Sequence, residues 1–209
     1  MKIHSMRQQY AKDTLDERLC PADPYLLFGQ WFHQAVKQHA FEANACILST
    51  THNHRPSSRV VLLKEFSEKG FVFFTNYESR KANDLENNAF ASMLFFWPDL
   101  QRQIRLEGVV GRISREESNA YFSSRPLESQ VNAIVSPQSR SIPSKEWLIE
   151  QRDRFLNEGV KPQRPDNWGG YVLMPDYVEF WQGGQHRLHD RIVYEKSDSN
   201  DWTKKRLAP

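Results

Sequence analysis

Cysteine is scarce in this chain of 209 residues: Cys20 and Cys46 stand alone, and neither belongs to a Cys-x-x-Cys pair. A disulfide framework therefore has no basis, and both thiols are expected to be reduced in a cytoplasmic protein. No metal site is expected either. The seven histidines are scattered, and His186 and His189 have no cysteine or carboxylate cluster at ligand spacing. Long hydrophobic runs are absent, so a membrane span is not expected. The start, Met1 to Tyr10, lacks the apolar core of a secretory signal. Charge of one sign is not in excess: a net +2 is too small for bulk nucleic-acid binding, so any cationic function must be local. The chain also has no Gly-rich phosphate loop, Gly-x-Ser-x-Gly elbow or dinucleotide fingerprint, which leaves a nucleophilic serine or cysteine mechanism without support. Internal repeats and low-complexity segments are missing as well.

Bulk composition is that of an ordinary globular protein, 39% hydrophobic and 26% charged. Aromatics reach 12%, with six tryptophans, which suits a β-rich core or a pocket for a flat ligand. Residues 1–22 read as a polar N-terminal arm and residues 23–209 as one domain. Asp23 followed by Pro24 predicts a helix start. Leu27, Phe28, Trp31, Phe32 and Ala35 then give that helix one apolar face, running to about His39. Strands are expected at Cys46–Thr51, Arg59–Lys64, Gly70–Thr75, Phe90–Trp97 and Gln103–Ile113, with a turn at Ser67-Glu-Lys-Gly70 joining the second and third as a hairpin.

Ser79 predicts a helix over about 80–87, Ser114 and Glu117 form a capping box for one stopping before Pro126, and Ser144 caps another through Leu156, ended by Gly159. The last strands are expected at Gly170–Met174, Tyr177–Trp181, Arg187–Tyr194 and Trp202–Arg206. Many short strands with a few helices predict a predominantly β fold, an antiparallel barrel carrying helices outside it.

Chemistry concentrates in four places. The run Trp181-Gln-Gly-Gly-Gln-His-Arg-Leu-His-Asp-Arg191 packs two arginines, two histidines and an aspartate into residues 186–191. If that run is extended, Arg187, His189 and Arg191 share one face, which suits solvent or an anionic, polar ligand. Arg59-Val-Val-Leu-Leu-Lys64 is an apolar strand between two cations. Regular alternation sends those cations to opposite faces, so both serve one site only across a strand end or at a bulge. Arg80 and Lys81 sit in the first turn of the Ser79 helix, where cations oppose the helix dipole unless an anion docks there. Tyr121 and Arg125 are four apart on one helical face, with Ser129 just past Pro126, a set suited to a phosphate monoester. Gln103, Gln138 and Ser139 add neutral hydrogen-bonding groups. Two phosphate-type sites beside aromatics suggest a phosphorylated cofactor next to a phosphorylated substrate.

The ordered set Arg59–Lys64, Phe74-Thr-Asn, Ser79-Arg-Lys81, Tyr121-Phe-Ser-Ser-Arg-Pro, Ser129-Gln, Gln138-Ser139, Trp168-Gly-Gly170, Glu179 to Arg191 and Arg206-Leu-Ala-Pro209 resembles the pyridoxine/pyridoxamine 5′-phosphate oxidase family, from about Arg7 to the C-terminus. The resemblance implies a split β-barrel that binds FMN at the interface of a homodimer. It implies oxidation of pyridoxine or pyridoxamine 5′-phosphate to pyridoxal 5′-phosphate, with oxygen reduced to peroxide and ammonia released from the amine. By the same resemblance Arg59, Val60, Val61, Leu62, Leu63, Lys64, Phe74, Thr75, Arg80, Lys81, Gln103, Gln138, Ser139, Trp181 and Arg191 hold FMN. Lys64, Tyr121, Arg125 and Ser129 hold the substrate phosphate. Arg187 and His189 meet the pyridine ring as the catalytic pair, and Arg7 and Tyr10 close over it.

The chain departs from the family pattern at the glycine-free turn His52-Asn-His-Arg55, at Phe74, and at Gln8 and Gln9 in the arm. Two other function classes fit the same fold: a non-catalytic flavin- or pyridoxal-phosphate-binding protein, and a flavin reductase using a nicotinamide.

Overall fold

A computed structural model describes residues 9–38 and 42–209. The first helix, α1 (Pro24–Lys37), starts where Asp23 accepts the Tyr25 N–H at 2.8 Å and ends at Lys37, a little short of His39. Its buried face is Leu27, Phe28, Trp31 and Ala35. Phe28 is fully buried, with the rings of Phe66, Phe71 and Phe95 at 4.8–5.2 Å. Edge-to-face packing of this kind adds to the roughly 1.5–3 kcal/mol expected from burying one such side chain.

The strands are β1 (Ala45–His52), β2 (Arg55–Leu62), β3 (Glu65–Ser67), β4 (Gly70–Asn76), β5 (Phe90–Trp97), β6 (Arg102–Arg112), β7 (Trp168–Gln182), β8 (Asp190–Lys196) and β9 (Trp202–Leu207). They form one antiparallel sheet in the order β2-β1-β5-β6-β7-β4-β3, with β8 and β9 added beside β7. The remaining helices are α2 (Arg80–Asn87), α3 (Arg115–Ser124), α4 (Leu127–Val135) and α5 (Lys145–Asn157). The fold is thus predominantly β with peripheral helices, as expected.

Several boundaries differ from the sequence expectation, each for a physical reason. The turn at Ser67–Gly70 is real, but it joins β4 to the three-residue β3 and not to the strand containing Arg59. That strand pairs along its full length with β1 instead, from Ala45↔Leu62 to His52↔Arg55. The glycine-free turn between them puts Asn53 at φ 48° and His54 at φ 60°. Two successive left-handed residues match the twist of a two-residue hairpin, and Asn tolerates that region better than most. Beyond β2 the Lys64 N–H bonds the Val72 carbonyl at 2.8 Å, which draws β2 toward β4 and curls the sheet.

The two strands expected at Gly170–Met174 and Tyr177–Trp181 are one strand, β7. Pro175 does not break it, because a bulge there opposes Gly108 to Pro175 and Glu107 to Tyr177, leaving Asp176 as the extra residue. A Cβ on Gly108 would lie 2.1 Å from the Met174 carbonyl oxygen, so only glycine permits this approach.

Two of the three expected serine helix caps form. The Ser114–Glu117 capping box is present, and Ser144 caps α5. Ser79 occupies the N-cap position of α2, but its hydroxyl bonds no helix N–H. A helix not expected from the sequence, α4, starts directly after Pro126. The strand expected at Arg187–Tyr194 begins only at Asp190, because Gln185–Arg187 form a 3-10 turn with His186 at φ 52° and Arg187 at φ 65°. The one-face alternation of Arg187, His189 and Arg191 therefore does not hold.

Residues 9–22 run without helix or strand across the end of the sheet. Gln101 accepts the Ala11 and Lys12 N–H groups, Asp13 pairs with Arg102 at 2.7 Å, and Asp190 accepts the Leu15 N–H at 2.9 Å. Among the described residues no helix is long and apolar enough to cross a membrane, and no cluster of three His, Cys, Asp or Glu is arranged to hold a metal ion.

Candidate functional site

A cavity of about 450 Å³ opens where β2, β4, α2 and the α3–α4 junction meet. Val60, Val61 and Leu62 line it from the end of β2, Phe74 and Thr75 from β4, and Lys81 from α2. Lys64 joins them because β2 stops at Leu62, so strand alternation no longer governs its direction. Tyr121, Arg125 and Ser129 come from α3, the turn after it and α4, and Gln138 from the loop beyond. Arg125 was expected on the α3 face with Tyr121. It leaves the helix at ψ 151°, since the residue before a proline is pushed to extended backbone, yet it still reaches the same cavity.

Lys64, Lys81 and Arg125 make this lining cationic, and it contains no carboxylate. The Lys81 ammonium donates to Thr75 Oγ1 at 2.9 Å, Gln138 Oε1 at 3.0 Å and Ser79 Oγ at 3.3 Å. Burial, helped by the Arg59 charge, pulls its pKa down to about 8. Burial also lowers the Arg125 pKa, and its buried Nη1 has no hydrogen-bond partner among the described residues. Half-buried cations held only by neutral groups, as Lys81 and Arg125 are, make an anion site in electrostatic terms. An aromatic wall stands beside them. Phe74 stacks on Tyr121 at 3.8 Å, Trp168 lies parallel to both rings, and Arg125 sits over Trp168 at 4.7 Å. Trp168 was not among the expected site residues. Its signal was the following Gly-Gly pair: a Cβ on Gly169 would meet the Tyr77 hydroxyl at 2.1 Å.

Seven expected cofactor residues do not line this cavity: Arg59, Leu63, Arg80, Ser139, Gln103, Trp181 and Arg191. Arg59 turns its guanidinium to Thr50 Oγ1 at 2.7 Å, the Leu48 carbonyl and Ser57, with Asp84 at 3.5 Å, and the Thr50 hydroxyl donates to Asp84 at 2.6 Å. The buried Thr50–Asp84 pair is thus an unexpected anchor beneath α2. Leu63 is buried in the core, while Arg80 and Ser139 are exposed.

The other expected residues gather elsewhere. His189 lies 4.7 Å from Trp181, and Tyr10 packs edge-on to both at 5.8 and 5.9 Å. Gln103 is the register partner of Trp181. Arg187 is exposed on the left-handed turn. Arg191 is clamped by Glu179, with Nε to Oε1 at 2.7 Å and Nη2 to Oε2 at 3.1 Å, and donates Nη1 to the Ala208 carbonyl. Glu179 is 2% exposed and also takes Arg105 at 2.9 Å. Burial acts to raise the Glu179 pKa, but Arg191 and Arg105 overcome it and the net shift is downward. Arg7 lies outside the described residues.

The two groups sit at opposite ends of β7. Trp168 and Gly170 mark the cationic cavity and Trp181 the aromatic–arginine group, eleven residues farther along the strand from Gly170. At about 3.3 Å per residue that is roughly 36 Å. The two groups are thus separated along the strand within one chain.

A family model described as pyridoxamine 5′-phosphate oxidase matches residues 32–151, and one described as the pyridoxine 5′-phosphate oxidase C-terminal dimerisation region matches residues 168–209. A pyridoxine/pyridoxamine 5′-phosphate oxidase 2 of Hydrogenovibrio crunogenus is 47% identical, covering 100% of this chain and 99% of that protein. A Bordetella pertussis protein named pyridoxine/pyridoxamine 5′-phosphate oxidase is 47% identical with 100% of both chains covered. Among solved structures, PhzG from Burkholderia lata 383, in complex with tetrahydrophenazine-1-carboxylic acid, superposes with TM-score 0.89 at 30% identity, over 95% of this chain and 100% of that one. A pyridoxamine 5′-phosphate oxidase-related, FMN-binding protein from Nostoc punctiforme gives TM-score 0.74 at 17% identity, over 91% of this chain and 100% of that one, which speaks to the fold alone. The chain belongs to the pyridoxine/pyridoxamine 5′-phosphate oxidase family.

Proposed function

We propose that this protein oxidises pyridoxine 5′-phosphate and pyridoxamine 5′-phosphate to pyridoxal 5′-phosphate as an FMN-dependent homodimer. The observation that carries the reading is the acid-free cavity holding Lys64, Lys81 and Arg125, with an unpartnered Nη1 on Arg125 and a Lys81 pKa near 8. These residues fit phosphorylated ligands, and the Phe74–Tyr121–Trp168 wall fits flat rings. Relatives named for this activity, matched over their full length, support the same reading.

When bound, FMN would supply the redox chemistry, a two-electron oxidation of the substrate at C4′ with oxygen as the final acceptor. The chain's own residues bind and orient. Val60 to Leu62, Lys64, Phe74, Thr75, Lys81 and Gln138 face FMN from one subunit, with Arg59 braced behind them by Asp84 and Thr50. Lys64, Tyr121, Arg125 and Ser129 anchor the substrate phosphate, remote binding energy that fixes the reacting carbon. Gln103, Trp181, Arg187, His189 and Arg191, with Tyr10 and Arg7 of the arm, complete the site from the second copy of the chain, a reading supported by their place at the far end of β7 and by the match of residues 168–209 to a dimerisation region. Leu63, Arg80 and Ser139, expected to hold FMN, lie outside the cavity lining, Leu63 buried and the other two exposed. We treat residues 23–209 as one catalytic domain, residues 1–22 as its arm, and the protein as cytoplasmic, in keeping with two buried free thiols.

A second reading, a carboxylate-bearing aromatic substrate, is favoured by the likeness to the PhzG complex. One experiment separates them: pyridoxine 5′-phosphate added anaerobically to FMN-loaded protein bleaches the flavin absorbance. A spectrum that stays oxidised after mixing rejects the oxidase reading.

A further inference from the structure

We infer that the backbone N–H of Gly184 fixes the His189 imidazole in the tautomer protonated at Nε2, so that this ring meets the ligand as a hydrogen-bond donor and not as a proton acceptor. Only the identity of the ligand rests on the oxidase reading; the tautomer rests on geometry.

The Gly184 N–H points at His189 Nδ1 across 3.1 Å. A donor can be received only by a lone pair, so Nδ1 carries no proton, and the single proton of a neutral imidazole must sit on Nε2. An imidazolium carries N–H at both nitrogens and would set two donors against each other at Gly184. The geometry is therefore that of the neutral ring. Trp181 at 4.7 Å and Tyr10 at 5.9 Å flank the ring and hold its orientation. Nε2 has no protein partner among the described residues, so its N–H is free for a ligand.

The loop from Gly184 to His189 is built to bring this donor and this acceptor together. A Cβ on Gly184 would lie 2.1 Å from the Leu188 carbonyl oxygen, so the loop closes to a spacing only glycine allows. The Leu188 N–H bonds the Gln185 carbonyl at 2.9 Å inside it. Closure also places His186 and Arg187, neither of them glycine, in the left-handed region at φ 52° and 65°. Backbone held in such conformations persists where the surroundings over-determine it, and it concentrates at functional sites. Neighbouring Asp190 makes no hydrogen bond to the ring; its carboxylate faces Arg206 at 2.6 Å and the Leu15 N–H at 2.9 Å. Gly184 is thus a positioning residue acting through His189. Whatever proton the substrate loses does not go to Nε2.

The test is a long-range 1H–15N correlation spectrum of full-length, 15N-histidine-labelled protein at neutral pH without substrate, with His189 assigned by its loss in His189→Gln. We expect an unprotonated Nδ1 and a protonated Nε2. The opposite pattern, or two protonated nitrogens, overturns the inference, and neither result depends on whether the protein is an oxidase. A kinetic arm uses the FMN-loaded enzyme with pyridoxine 5′-phosphate. His189→Gln keeps a donor at the reach of Nε2, whereas His189→Glu puts an anionic acceptor there. A donor role predicts that Gln loses less than about tenfold in kcat/KM and Glu more than about a hundredfold. The reverse order overturns it.

Discussion

The Arg125 guanidinium lies over the Trp168 ring at 4.7 Å while its buried Nη1 has no partner. A planar cation held face-on to an indole with one donor free is oriented for a bidentate anion, and lysine cannot reproduce that fork. Arg125→Lys is expected to raise KM for the phosphorylated substrate about 10–100-fold while changing kcat by less than about threefold, in steady-state assays. The free protein should behave oppositely in stability. Removing a half-buried cation without a charge partner in Arg125→Ala should leave Tm unchanged or higher, and a fall of several degrees in calorimetry would show that this arginine is a structural brace.

Lys81 makes anion binding sensitive to pH. Its pKa in the free protein is lowered from 10.5 to about 8, first by burial and then by Arg59. Below pH 8 both folded and unfolded chains hold the proton. Between about 8 and 10.5 the unfolded chain binds a proton that the folded chain has released, so this group's contribution to unliganded stability rises with pH across that window. A phosphate is held more tightly by the charged ammonium, so its affinity moves the other way and weakens above about pH 8, by at most about tenfold per pH unit. Flavin fluorescence titrations at pH 7 and pH 9 measure this, and Lys81→Ala should weaken FMN binding at pH 7 and flatten the dependence.

Glu179 ties Arg191 and Arg105 together from a nearly inaccessible position. Replacing it with glutamine leaves two arginines without their charge partner. We expect Glu179→Gln to lose about 2–3 kcal/mol in urea unfolding, less than a fully buried pair because both arginines are partly exposed. Its folded pKa is depressed, so this stability is present above the ordinary carboxylate pKa and is lost as pH falls through the lower folded value. Equal unfolding midpoints for the two proteins at pH 7 would show that the clamp is not needed.

Arg187, exposed on its left-handed turn, contributes to no buried packing. Arg187→Ala should therefore spare Tm and FMN content while lowering kcat/KM by roughly tenfold to a thousandfold, or about 1.4–4 kcal/mol of transition-state stabilisation. Unchanged kinetics with substrate would remove it from the ring-facing side of the site.

Local signals were readable before any coordinates. Asp23 with Pro24 and Ser114 with Glu117 specify helix starts through bonds spanning two or three residues, and both caps form. What the chain hides is set by distant partners. Nothing near Pro175 reveals that Gly108 across the sheet accommodates it in one continuous strand. Nothing near Asp84 reveals Thr50, 34 residues earlier. The cation-rich segment misled because alternation assumes a strand, while His186 and Arg187 occupy backbone that neither residue type advertises. Its residues still form a compact group, held by a loop closure that the paired glycines Gly183 and Gly184 permit.

The length of β7 has a consequence for how the protein behaves on dilution. On the proposed assignment, which puts the two halves of each ligand site at its opposite ends, occupancy and subunit association obey one mass-action relation, and each ligand acts as a rivet between two chains. Specific activity should then fall as the enzyme is diluted toward its subunit dissociation constant and return when excess flavin is supplied.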